Sequence, residues 1–210
     1  MKNYQEREFS RATMEPANDV LAAYRRQAEA QPSNARSRYL LGLAYLEAGA
    51  FDPARQSFEA ARQLGFRDVD RELGRTFLRL RQLDKARELL SRAAETTPDD
   101  PVAHAELAKV CEALNDTDGA MREYERALQL VPTLEEAHYG LGMLAGRAGH
   151  QDDGFYHLGK AFELRGELDR ALSQFEKAAP LLPPGSARAR EVTAEITELR
   201  EFLHRGRLLP

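Results

Sequence analysis

The chain has 210 residues, 42% of them hydrophobic and 30% charged, and a net charge of −4 spread as mixed signs. That balance argues against nucleic acid as the main partner, which would want a concentrated basic surface. One cysteine rules out an intrachain disulfide, and no stretch approaches the roughly 18 apolar residues of a membrane span.

The N-terminus, MKNYQEREFSRATMEP, has no apolar core of a signal peptide, so the chain reads as cytoplasmic. An export signal or anchor removed from a longer precursor is compatible with that reading. Residues 1–15 are polar and without a clear period, and are expected to be loose. Pro16 suits a first helical turn, and Val20, Tyr24 and Ala28 then recur every four residues until Pro32 stops the helix. Residues 16–32 read as the second half of a repeat whose first half is degraded.

Four segments follow, at 34–66, 67–99, 100–132 and 133–165, each with two short amphipathic stretches. In the first, Ser33 or Asn34 caps one helix, Gly49 closes it, and Asp52-Pro53 opens the next with Asp as cap. Asp84 is the expected cap of the corresponding helix in the second. Asp100-Pro101 opens the third, and Asn115-Asp116-Thr117 breaks its pattern. Thr133-Leu134-Glu135-Glu136 reads as a capping box at the start of the fourth. Helices this short cannot bury their apolar faces alone and need copies on either side.

The copies are in register. Gly42, Gly74, Ala108 and Gly142 are spaced by 32, 34 and 34 residues. Ala54, Ala86 and Ala120 keep those steps, as do Phe58, Leu90 and Tyr124, and Ala61, Ala93 and Ala127. A period near 34 with two helices per unit marks a helical solenoid. The Leu-Gly pair, the aromatic three residues on, and the later Ala, bulky residue, Ala and closing Pro resemble the tetratricopeptide repeat (TPR). Leu41-Gly42-Tyr45 with Ala54, Phe58 and Ala61 is the best match, and the resemblance covers residues 35–184. The chain departs from the family in having no Trp; its place holds Arg38, Asp70, His104, His138 and Phe155. The first repeat also ends at Phe66 where Pro is usual. The resemblance implies an all-α fold, a right-handed superhelix of helical hairpins, closed by a C-terminal capping helix.

The register then slips. Gly159 follows Gly142 by 17 residues, half a repeat. Gly154, Leu158 and Ala161 match a second helix, whereas Leu158, Gly159 and Phe162 match a first helix completed by Ala171, Phe175, Ala178 and Pro183. One helix therefore serves both the fourth repeat and a fifth, at 152–184. Ser186 caps a last helix, 186–205, with Val192, Ile196, Leu199 and Phe202 with Leu203 as its apolar stripe. A terminal helix with one wet face is what a solenoid needs at an open end.

No Walker A, GxSxG or HExxH motif is present, so neither catalysis nor a cofactor is expected. His150, Asp152, Asp153 and His157 lie close in sequence, but on a turn and on the helix after it. Turn and capping roles explain the two Asp, and no metal is assigned. His104, His138 and Cys111 read as packing residues.

The resemblance implies a groove lined two residues before and two after the Leu of each Leu-Gly pair. Those positions hold Tyr39 and Leu43, Arg71 and Arg75, Ala105 and Lys109, Tyr139 and Met143, and Tyr156 and Lys160. None is acidic, in a chain with more acids than bases. Arg71, Arg75, Lys109 and Lys160 could pair carboxylates, and the Tyr and Met residues supply adaptable apolar contact. None is Asn, so the family's Lys/Asn clamp for chaperone tails is not implied. The expected function is that of a non-enzymatic adaptor or assembly scaffold, binding an acidic or carboxyl-terminal peptide segment of another protein. Two rivals stand beside it: a substrate-recruiting part of an enzyme, and a structural protein that self-associates through its ends.

Overall fold

Caps and left-handed turns set the helix boundaries. A computed structural model describes residues 17–207, side chains being described for residues 19–205. The expected loose segment 1–15 lies outside the described residues. Eleven α-helices and one 3₁₀ turn account for the described part, with no strand among the described residues. They fall into two compact units that divide after Pro98.

The first unit holds α1 (Ala17–Ala30), α2 (Ala35–Glu47), α3 (Phe51–Gln63), α4 (Asp70–Arg79) and α5 (Leu83–Thr96). Asn34 caps α2, its side chain accepting from the Ser37 amide at 3.1 Å. Gly49 takes φ +72°, which ends α2, and the Ala50 amide returns to Tyr45 O at 2.8 Å. This tight link starts α3 at Phe51, so the expected Asp52 cap lies instead in the first turn, where it still favours the helix dipole. Asp84 is displaced in the same way: α5 starts at Leu83, and no side chain caps it.

Each hairpin closes on a small residue under a bulky one. A Cβ on Gly42 would lie 2.6 Å from the Phe58 ring, and one on Gly74 2.5 Å from Leu90 Cγ. Only glycine allows that approach. Phe58, Leu90, Ala54, Ala61 and Ala86 are fully buried. Burying a side chain the size of Phe58 contributes about 1.5–3 kcal/mol. Ala93 is only half-buried, and its neighbour Ala94 turns further inward. Phe66, where Pro was usual, stacks on Tyr39 with ring centroids 4.3 Å apart.

The second unit holds α6 (Pro101–Ala113), α7 (Thr117–Leu130), α8 (Glu135–Ala148), α9 (Gln151–Leu164), α10 (Leu168–Ala178), the 3₁₀ turn Ala179–Leu181 and α11 (Ala187–Arg207). Asp100 caps α6 through the Val102 and Ala103 amides, with Pro101 as first residue. Asn115 takes φ +61°, as Asn tolerates, and Asp116 caps α7 through the Gly119 amide at 2.9 Å. The expected capping box at Thr133 does not form: Leu134 is the cap position and has no side-chain bond. Its two acids go elsewhere, Glu135 to Arg165 and Glu136 to Lys109.

Helix α9 packs against both α8 and α10. Toward α8 it presents Gly154 and Leu158: a Cβ on Gly142 would lie 2.7 Å from Leu158 Cγ. Toward α10 it presents Gly159, where a Cβ would lie 2.5 Å from the Phe175 ring. Phe162, Ala171, Phe175, Ala178 and Leu182 then form a core that Val192 and Leu199 of α11 complete, with Ile196 packed beside them. Ser186 caps α11 through the Ala189 amide. The expected apolar stripe holds up to a point. Phe202 is 63% exposed, because at 3.6 residues per turn it falls ~80° to the side of Val192.

Candidate functional site

In the first unit, two of the groove positions, Tyr39 and Arg71, are already engaged within the fold. Tyr39 is buried, stacked on Phe66 and tilted against Phe58. Burial raises its phenol pKa, and the neighbouring Glu72 carboxylate raises it further. Arg71 donates through Nε and Nη2 to Glu72 Oε1, at 3.0 and 2.7 Å. Glu72 is itself buried, so this is an inward-facing pair next to the Tyr39 hydroxyl. Leu43 and Arg75 are half-buried.

In the second unit, Ala105 is fully buried and lines nothing. Lys109 Nζ donates to Glu136 Oε2 at 2.7 Å and Glu106 Oε1 at 3.3 Å. Burial works against its charge, but the two carboxylates outweigh that and hold its pKa above the usual lysine value. Lys160 lies within 3.5 Å of three carboxylates, those of Glu163, Glu191 and Glu195. Its pKa is raised on the same balance, burial opposing and the acids prevailing. Tyr156 donates its hydroxyl to Glu191 at 3.0 Å, and Arg188 covers its ring at 4.6 Å. Burial, then Glu191, pushes the Tyr156 pKa up to about 12.

These contacts have one register. Asp153 pairs with Arg188, Tyr156 with Glu191 and Lys160 with Glu195, each across 35 residues. Helix α11 therefore sits beside α9 as the first helix of a following repeat would, with acids at its own lining positions. Sequence reasoning treated α11 only as a cap, yet the step of 35 that sets Asp153, Tyr156 and Lys160 opposite Arg188, Glu191 and Glu195 was readable in it. Tyr156 and Lys160 face α11 and belong to that seam.

Tyr139 and Met143 differ. They lie one turn apart on α8, 37% and 40% exposed, in a unit whose other large apolar side chains mostly turn inward. The Arg165 guanidinium lies 4.7 Å from the Tyr139 ring centroid. Arg147, one turn beyond Met143, has a side chain 64% exposed and reaches Glu112 at 3.2 Å. The structure thus gathers an apolar pair and two guanidinium groups along α8, flanked on α6 by the Lys109–Glu136 ion pair.

The histidines were read as packing residues, and His104 and His138 are buried. Each also bonds a side chain 19 residues on: His104 Nδ1 lies 2.7 Å from Glu123 Oε2, and His138 Nδ1 lies 2.9 Å from His157 Nδ1. That common spacing is the signal the sequence held. Asp152 and Asp153 lie in the first turn of α9 rather than capping it. Among the described residues, no cluster of three or more His, Cys, Asp or Glu side chains could hold a metal ion. No helix among them is long and apolar enough to cross a membrane.

No curated protein sequence matches the chain. Solved structures do. MamA from Desulfovibrio magneticus RS-1, residues 41 to the end, is 19% identical, with a TM-score of 0.64 over 80% of this chain and 94% of that one. YrrB, described as a TPR protein with an unusual peptide-binding site, is 23% identical, with a TM-score of 0.59 over 76% of this chain and 84% of that one. The Cut9–Hcn1 hetero-tetramer of the APC/C gives 15% identity and a TM-score of 0.67 over 88% of this chain and 39% of that one. At these identities the likeness is one of fold. The family model described as tetratricopeptide repeat matches residues 17–65 and 71–135, more than half of the sequence. The chain is a member of the tetratricopeptide repeat family, whose modules bind other proteins.

Proposed function

We propose that the chain is a non-enzymatic adaptor or assembly scaffold that takes up a peptide segment of a partner protein along α8. One observation carries this reading: Tyr139 and Met143 stand exposed one turn apart with Arg147 and Arg165 beside them. An exposed apolar pair of this kind is a contact surface, since Tyr and Met give large, adaptable area and Arg takes a carboxylate in a fork. YrrB supports the mode of action, being described by its own peptide-binding site.

The occupant that fits is a segment with one apolar side chain close to a carboxylate, either an acidic residue or a chain terminus. Each of the cations Arg71, Lys109, Lys160, Arg147 and Arg165 has an acid within the fold, Arg147 with Glu112 and Arg165 with Glu135 included; Arg147, whose side chain is the most exposed of them at 64%, is the one a partner carboxylate reaches most readily. Leu43, Arg71, Arg75 and Tyr39 shape a second, more closed surface in the first unit.

A photo-reactive amino acid placed at Met143, and separately at Leu64, tests the reading. Leu64 is equally exposed, at 41%, on α3's end. The expected result is a discrete protein adduct from position 143 that excess unmodified chain competes away, and none from position 64. Equal adducts from both positions would remove α8 as the site.

A further inference from the structure

His138 and His157 sit at the contact where α9 meets α8. His138 is buried, and its Nε2 donates to Pro132 O at 3.0 Å, which leaves its Nδ1 as an acceptor. His157 Nδ1, 2.9 Å away, is then the donor that fills it. The rings lie 5.2 Å apart, and the Tyr156 ring meets His157 edge-on at 5.1 Å. That arrangement makes His138 neutral, and burial opposes a charge on His157.

The space between the two Nδ1 atoms holds one hydrogen. A second would set two N–H groups against each other at 2.9 Å, with no acceptor between them. The surroundings oppose positive charge as well. Lys160 of α9 and Arg188 of α11 lie close enough to repel it. The acids that face the pair are compromised: Glu135 of α8 is bound to Arg165, and Glu191 of α11 to Tyr156 and Lys160.

We propose that His138 and His157 form an acid-released latch between α8 and α9, shut while both rings are neutral and opened when they take up protons. Burial, then the His138 and Arg188 charges, lowers the His157 pKa to about 3, and burial lowers that of His138. The sign follows. A histidine whose folded pKa lies below its unfolded value, about 6.5, stabilises the fold fully above that value. The contribution is lost progressively as pH falls from about 6.5 towards 3. For His157 alone, the equilibrium for opening α9 should rise roughly 30-fold between pH 7.5 and pH 5. The latch ties α8 to α9, the helix that also packs against α10, so acid loosens a helix with neighbours on both sides.

Histidine-selective NMR on the full chain tests this. At pH 7.5 the long-range nitrogen spectrum should show His138 as the Nε2–H tautomer and His157 as the Nδ1–H tautomer. The His157 ring should remain neutral at pH 5.5. Hydrogen exchange, corrected for its intrinsic pH dependence, should show α9 amides losing protection by about 30-fold from pH 7.5 to 5, and His157→Gln should lose most of that dependence. Titration of both rings near pH 6.5, or equal pH dependence of α9 in the variant, would overturn the proposal. If His157→Gln does not fold, the ring titration of the unaltered chain decides alone.

Discussion

The hairpin of α2 and α3 and the helix α9 use the same device for different ends. In the hairpin, one glycine, Gly42, admits one ring, Phe58, and the rest of α2 is free to meet other neighbours. Helix α9 presents Gly154 and Leu158 to α8, Gly159 to α10, and a row of Asp153, Tyr156 and Lys160 to α11. Three sides of a 14-residue helix are thereby committed. A helix committed on three sides loses the face it could have offered to a partner. That is why Tyr156 and Lys160 are bonded within the fold while Tyr139 and Met143, on the preceding helix, stay exposed.

Loss of α11 should do the most damage. Removing residues 187–210 takes Val192 and Leu199 out of the Phe175 core, a loss of about 3–6 kcal/mol for two buried aliphatic side chains. The bared face should also make the truncated chain associate, which light scattering after size-exclusion chromatography will show. A monomer with unchanged melting temperature would mean that α11 only decorates the unit.

Next in size is Gly159→Leu. The new side chain collides with the fully buried Phe175 ring, and we expect a loss of about 3 kcal/mol from overpacking, read by denaturant titration. In the first unit, Arg71→Glu should destabilise by about 2–3 kcal/mol. It replaces a pair with two adjacent carboxylates, one of them buried. A residue that only lined a groove could be exchanged without cost to the fold; the bond to buried Glu72 makes Arg71 a different case. The smallest effect has the opposite sign. Gly146 has open space where its Cβ would be, so Gly146→Ala should stabilise α8 by about 0.5–1 kcal/mol.

Much of the fold was legible because it rests on spacing. Gly42, Gly74, Gly142 and Gly159 were visible as a register, and each proves to be a site of close approach. Helix starts were less legible, since the three-residue links put Ala50 and Gln82 at the cap positions in place of Asp52 and Asp84. The lining positions were found by register, but register gives no account of what faces them. Sequence could count acids at the ten positions and find none. It could not see that Glu72, Glu106, Glu136 and Glu195, one residue, one turn or a separate helix away, would reach back to Arg71, Lys109 and Lys160. Long side chains close such pairs across helices, and the pairing depends on which faces meet.

The exposed pair on α8 decides the account. Once a partner segment is in hand from cross-linking at position 143, calorimetry should compare the unaltered chain with Tyr139→Ala/Met143→Ala. Neither side chain belongs to the buried core, so the melting temperature should stay within a few degrees. Affinity should fall by at least about tenfold, the loss of roughly 1.4 kcal/mol expected when contact anchors are truncated. Unchanged affinity in a folded double variant would contradict the assignment of partner binding to α8.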